Sequence, residues 1–106
     1  MRRILVLAAL VLTGCSRNTF EVDDPHSFVR SATLRLCGSE SLLERDGASF
    51  SSSRWATCEA DGEITLIYRN GTPHRCIIGY VTANMPQDFH FRAEPSRCRE
   101  VIPPTS

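Results

Sequence analysis

The sequence predicts a mainly β domain, a small antiparallel meander or partly open barrel braced by disulfides. Three observations carry that reading. Apolar and polar residues alternate over short runs, the pattern of half-buried strands. Turn signals, Asp46-Gly47, Asp61-Gly62 and Asn70-Gly71, punctuate those runs. Four cysteines, Cys37, Cys58, Cys76 and Cys98, fall in the same stretch of a short chain, and an even number there reads as two disulfides.

The N-terminus reads differently. Met1-Arg2-Arg3 is followed by nine apolar residues, Ile4 to Leu12. A transmembrane helix needs about 20 such residues, whereas the apolar core of a secretory signal needs only about 7–15. Leu12-Thr13-Gly14-Cys15 then resembles the lipobox of bacterial lipoproteins. That resemblance implies removal of a signal peptide, residues 1–14, and lipidation of Cys15 on its sulfur and its freed amine. Ser16, where an Asp would favour inner-membrane retention, implies an outer-membrane location on the periplasmic side. Several acyl chains on one residue make a stable anchor, since each buried methylene contributes about 0.8 kcal/mol. The alternative is an ordinary secretory signal, but no A-x-A-like cleavage site follows Ala8-Ala9.

Loss of residues 1–14 removes Arg2 and Arg3, leaving ten Arg against twelve acidic residues, a formal net charge of −2. No lysine is present and no basic stripe remains, which argues against nucleic acid as a partner. The polar stretch 15–31, with Asp23-Asp24-Pro25, reads as a lipidated N-terminus and linker, and 102–106 as a tail. The domain is then 32–101, small enough to need staples. Of the three possible connectivities, Cys37–Cys58 and Cys76–Cys98 are favoured. Each closes a loop of about twenty residues, worth on the order of 3 kcal/mol in the chain-entropy model. No C-x-x-C pair occurs, so the cysteines do not read as a metal site, and no cofactor is expected.

Along the domain, Thr33–Cys37 alternates with Leu34 and Leu36 on one face. Residues 39–47 admit two readings: a short helix near 39–46 capped by Ser39 or Ser41, or, preferred, a strand entering an Asp46-Gly47 hairpin toward Phe50. Residues 63–69 place Ile64, Leu66 and Tyr68 together. Asn70-Gly71 suits a two-residue type I′ turn, which would set Arg69 against Thr72, Tyr68 against Pro73, Ile67 against His74 and Thr65 against Cys76. Residues 75–82 form the returning strand, with Gly79 marking a bulge or close packing. Residues 83–87 lead to a strand at Phe89–Arg92, the next of the meander.

Candidate chemistry is thin. His26 lies in the linker, His74 by the predicted turn, and His90 on the face away from Phe89 and Phe91. None has a partner or pocket specified in sequence. Ser49 and Ser51–Ser53 lack a G-x-S-x-G context, and the carboxylates at Glu40, Glu44, Asp46, Glu59, Asp61 and Glu63 read as solvated turns and faces. No catalytic residue is assigned. Trp55, Tyr68, Tyr80 and Arg54 are the candidate contact residues, because aromatics and Arg are enriched in binding hot spots. The expected function is a non-enzymatic outer-membrane lipoprotein that binds another envelope protein. Two alternatives stand beside it. One is an inhibitor, since size, anchor and braced β content are similar to the periplasmic lysozyme-inhibitor lipoproteins. The other is a small ligand carrier or hydrolase.

Overall fold

The computed structural model describes residues 17–102, so the signal-peptide stretch, Cys15 and most of the tail lie outside the described residues. Nine strands follow one another: β1 (Asn18–Asp23), β2 (Val29–Leu36), β3 (Ser39–Leu42), β4 (Glu44–Asp46), β5 (Ser49–Arg54), β6 (Ala60–Tyr68), β7 (Pro73–Val81), β8 (Asp88–Glu94) and β9 (Arg97–Glu100). They form two sheets. Sheet A has the order β4-β5-β1-β8-β9 and sheet B the order β3-β2-β6-β7. The fold is mainly β, and its two sheets make an open sandwich rather than a barrel.

The core lies between the inner faces. Sheet A contributes Phe20, Val22, Phe50, Phe91 and Ala93; sheet B contributes Leu34, Leu36, Ile64, Leu66 and Val81, all buried in one cluster. The alternation read in residues 33–37, 63–69 and 89–92 is the inward half of these strands. At one side of the sandwich the chain itself joins the sheets, passing from β3 to β4 through buried Leu43. At the other, Cys76–Cys98 links edge strand β7 to edge strand β9, with a Cα separation of 5.2 Å. Cys37–Cys58, at 5.6 Å, ties the β2–β3 turn to the loop before β6.

Several expectations are corrected. Residues 15–31 are not a linker from Asn18 onward. β1 is the central strand of sheet A, antiparallel to β5 and parallel to β8, and β2 begins at Val29. Its alternation is masked in sequence by acidic outward positions: Asn18, Phe20 and Val22 are buried, while Thr19, Glu21 and Asp23 face out. The helical reading of 39–46 also fails. Ser39–Leu42 pairs with β2 and Glu44–Asp46 with β5, the latter closing on Gly47, whose φ is +63°. Nor does β8 continue a meander after β7; it crosses to sheet A, where Phe89 stacks on Phe20 at 5.4 Å between ring centres.

The Asn70-Gly71 hairpin forms in a register one residue away from the predicted one. Ile67 pairs with Pro73, Thr65 with Arg75 and Ile64 with Cys76. Only Gly71, not Asn70, has positive φ, and the Asn70 side chain instead accepts the Thr72 N–H at 2.9 Å. The result is a three-residue loop of the type-I-plus-bulge kind. This register places Cys76 on the same face as Ile64, which is where it must be to meet Cys98. The two-residue turn with two positive φ angles occurs elsewhere, at Cys37 (+54°) and Gly38 (+75°). Gly79 does sit at a bulge, where Gly62 pairs with Gly79 and Glu63 with Ile77. The extra residue, Ile78, shifts the phase of β7, so that Val81 turns inward and Tyr80 outward.

Candidate binding surfaces

The outer face of sheet A carries an open trough of about 980 Å³. Strand pleating builds its floor. Thr19 and Glu21 of β1, Ser51 and Ser53 of β5, and Asp88 and His90 of β8 point away from the core because Phe20, Val22, Phe50, Phe89 and Phe91 point into it. Leu42 and Glu44 border one side and Val101 and Ile102 the other, with the Val101 N–H bonded to the His90 carbonyl at 2.8 Å. A Thr19 hydroxyl to Asp88 carboxylate hydrogen bond crosses between β1 and β8.

His90 is half-exposed, and its Nε2 lies 2.8 Å from Asp23 Oδ2. This is the partner that sequence could not supply, because it depends on the parallel β1–β8 pairing. Glu21 stands beside them, and one ligand atom from each of Glu21, Asp23 and His90 falls within 4.8 Å of the others. One imidazole and two carboxylates suit a borderline divalent cation such as zinc better than calcium.

Sheet B presents a different outer face. Glu63 sits between Arg35, at 3.0 Å, and Arg75, at 3.5 Å. The exposed side chains of Ile77 and Tyr80 flank this group on edge strand β7. The Tyr80 hydroxyl donates to Glu59 at 2.6 Å, and that bond to a carboxylate holds the phenol above its usual pKa.

The four candidate contact residues separate. Tyr68 is buried and is not a contact residue. Its hydroxyl donates to the Glu94 carbonyl at 2.5 Å and also lies 3.2 Å from the Arg97 carbonyl, tying sheet B to the β8–β9 turn. Burial, reinforced by Asp24, raises its pKa, so the phenol stays a donor. Its ring stacks on Phe28 and meets His74 at 4.3 Å. Arg54 is engaged within the fold, its guanidinium donating to the hydroxyls of Ser41 and Ser39. The cation–π contact among the described residues is Arg45 over Phe50. Trp55 and Tyr80 remain exposed. His26 is exposed and packs loosely by Phe28.

Fold and surfaces together define a two-sheet β-sandwich with an open, polar-floored trough. No protein-family model and no curated protein sequence matches the chain. Among solved structures the chain is similar to the tip fimbrial protein Mfa3 from Porphyromonas gingivalis in a C-terminally truncated form. The TM-score is 0.57 and the identity 11%, over 80% of this chain and 49% of that one. It is also similar to a protein from Eubacterium rectale solved by NMR, with TM-score 0.55 and 14% identity, over 88% of this chain and 94% of that one. The chain thus spans about half the length of the Mfa3 chain. At these identities the likeness is one of fold.

Proposed function

We propose that this chain is a lipid-anchored envelope protein whose sandwich is a non-enzymatic binding module, taking another envelope protein across the trough of sheet A. The trough is the observation that carries the reading. Short hydroxyls and charged groups line its floor, and exposed apolar side chains, Leu42 and Ile102, stand at its borders. Polar positioning groups beside apolar anchors are the ordinary composition of a protein contact surface. A surface this open does not exclude water, which favours recognition over chemistry that needs a desolvated site. Anchoring at Cys15 would confine the module to a thin layer and raise its effective concentration toward membrane-side partners.

A photo-reactive amino acid at Ser51 in the full-length protein, activated in native membranes, tests this. A discrete cross-linked protein is expected from Ser51 and none from Thr65 on the outer face of sheet B. Cross-linking from Thr65 alone moves the contact surface to sheet B, and none from either position overturns the binding reading.

A further inference from the structure

We infer that the end of the sandwich where the chain enters rests on the membrane, with Trp55, Tyr80 and Met85 seated in the lipid interface. The inference rests on the lipid-anchor reading of Cys15 and specifies how the domain sits on that anchor.

The first observation is the length of chain available. β1 starts at Asn18, so only Ser16 and Arg17 separate it from Cys15. Three extended residue steps span about 10 Å at most. Arg17 is further tied to the sandwich, its guanidinium donating to the Ser53 hydroxyl at 3.1 Å and the Ser53 carbonyl at 3.2 Å. The polar layer on each side of a bilayer core is itself about 5–8 Å deep. Acyl chains on Cys15 therefore hold Asn18 at the headgroups, with no linker to lift the domain away.

The second observation is what shares that end with Asn18. Asn18 pairs with Arg54, the residue before Trp55. The Thr19 N–H bonds to the Gln87 carbonyl, and the Asn84 N–H bonds to the Ala56 carbonyl at 3.4 Å, which brings the loop carrying Met85 against the loop carrying Trp55. Tyr80 enters from the end of β7, paired with Asp61 near the start of β6. Four of the six exposed large hydrophobic residues among the described residues, Trp55 at 38%, Tyr80 at 57%, Met85 at 50% and Ile102 at 81%, lie at this end, while Leu42 and Ile77 sit along strands β3 and β7. The opposite end, with the turns at 24–28, 47–48, 69–72 and 95–96, carries none of the exposed large hydrophobic residues among the described residues.

The third observation concerns charge. Arg17 and Arg54 are offset at this end by Glu59, Asp61 and Asp88. Attraction to anionic lipid is therefore not the force at work. Trp and Tyr favour the membrane–water boundary because each pairs an apolar ring with a polar group, and Met85 adds apolar area. A layer of zwitterionic lipid is the surface this end fits.

Trp55 is the sole tryptophan of the chain and reports the contact directly. The full-length protein is extracted from membranes and its intact mass read for acylation of Cys15. It is then reconstituted into phosphatidylcholine vesicles with and without brominated lipid. Trp55 emission should shift to the blue and lose most of its intensity to bromine, equally when phosphatidylglycerol is added. A single tryptophan moved to the opposite end, Asn70→Trp in a Trp55→Phe background, should keep its emission. An acylated protein whose Trp55 is not quenched overturns the inference while the anchor reading stands. A mass without acyl chains overturns both. Quenching that needs anionic lipid overturns the interfacial account of the contact.

Discussion

Asp24→Ala is expected to destabilise the domain by about 3–5 kcal/mol, although Asp24 lies in an Asp-Asp-Pro stretch that reads as surface linker. In the structure Asp24 is 1% exposed and turns the chain from sheet A into sheet B. One carboxylate oxygen accepts the Phe28 N–H at 2.8 Å and the other the Val29 N–H at 3.0 Å. Each hydrogen bond to a charged group contributes about 1.5–3 kcal/mol, and its loss leaves a backbone donor without a partner. The Arg45 guanidinium is partly exposed and 3.7 Å from the carboxylate, beyond hydrogen-bond distance, so the two backbone donors carry the effect. For a domain of this size, at about 4–8 °C per kcal/mol, the change corresponds to a fall in Tm of about 12–40 °C. Urea unfolding followed by circular dichroism, with disulfides intact, measures it. Asp24→Asn retains one acceptor but turns an amide N–H₂ toward the other donor, so it should fall between wild type and Asp24→Ala. A loss below about 1 kcal/mol for Asp24→Ala would refute the reasoning, because the corner would then be held by something other than the carboxylate.

Phe20→Ala, in the central strand of sheet A and stacked on Phe89, should cost about 3–5 kcal/mol in the same assay; a neutral result would return residues 18–23 to the status of a linker. Tyr68→Phe should cost about 1–2 kcal/mol, since the Glu94 carbonyl loses its phenolic donor, and amide exchange at the β8–β9 turn should quicken. Glu94 is held below its ordinary value of 4.5 by hydrogen bonds from Arg99 and then Arg97. A depressed carboxylate contributes stability above its unfolded value and loses it as pH falls through the lower folded value. The urea midpoint should therefore drop below about pH 4.5 more steeply in wild type than in Glu94→Gln.

Residues whose neighbours are close in sequence were the legible ones. The inward faces of β2, β6 and β8 follow from period-2 alternation alone, because one face of each strand is buried and the pleat fixes the period. Cys76 and Cys98 could be paired from loop length, yet the register that lets them meet could not. Asn70-Gly71 satisfies the local rules for a two-residue turn equally well, and only the shared face of Ile64 and Cys76 selects the three-residue loop. Cys37-Gly38 adopts the turn with two positive φ angles despite a poorly suited cysteine, and the bond to Cys58 fastens that turn to the loop before β6.

What lay beyond reach was whatever depends on strands distant in sequence. β1 reads as a linker in sequence because two of its three outward residues, Glu21 and Asp23, are acidic, and its burial needs β5 and β8, which come from remote parts of the chain. The same parallel pairing brings His90 to Asp23 across 67 residues of chain and so assembles the trough. The sequence by itself determined the β class and the cysteine framework, because each is written in local composition and spacing. The tertiary structure decided which strands share a sheet and which end of the sandwich gathers the exposed aromatics. That is so because a strand's partners are chosen by the burial of its inner face and by backbone groups that must be satisfied across the whole sheet.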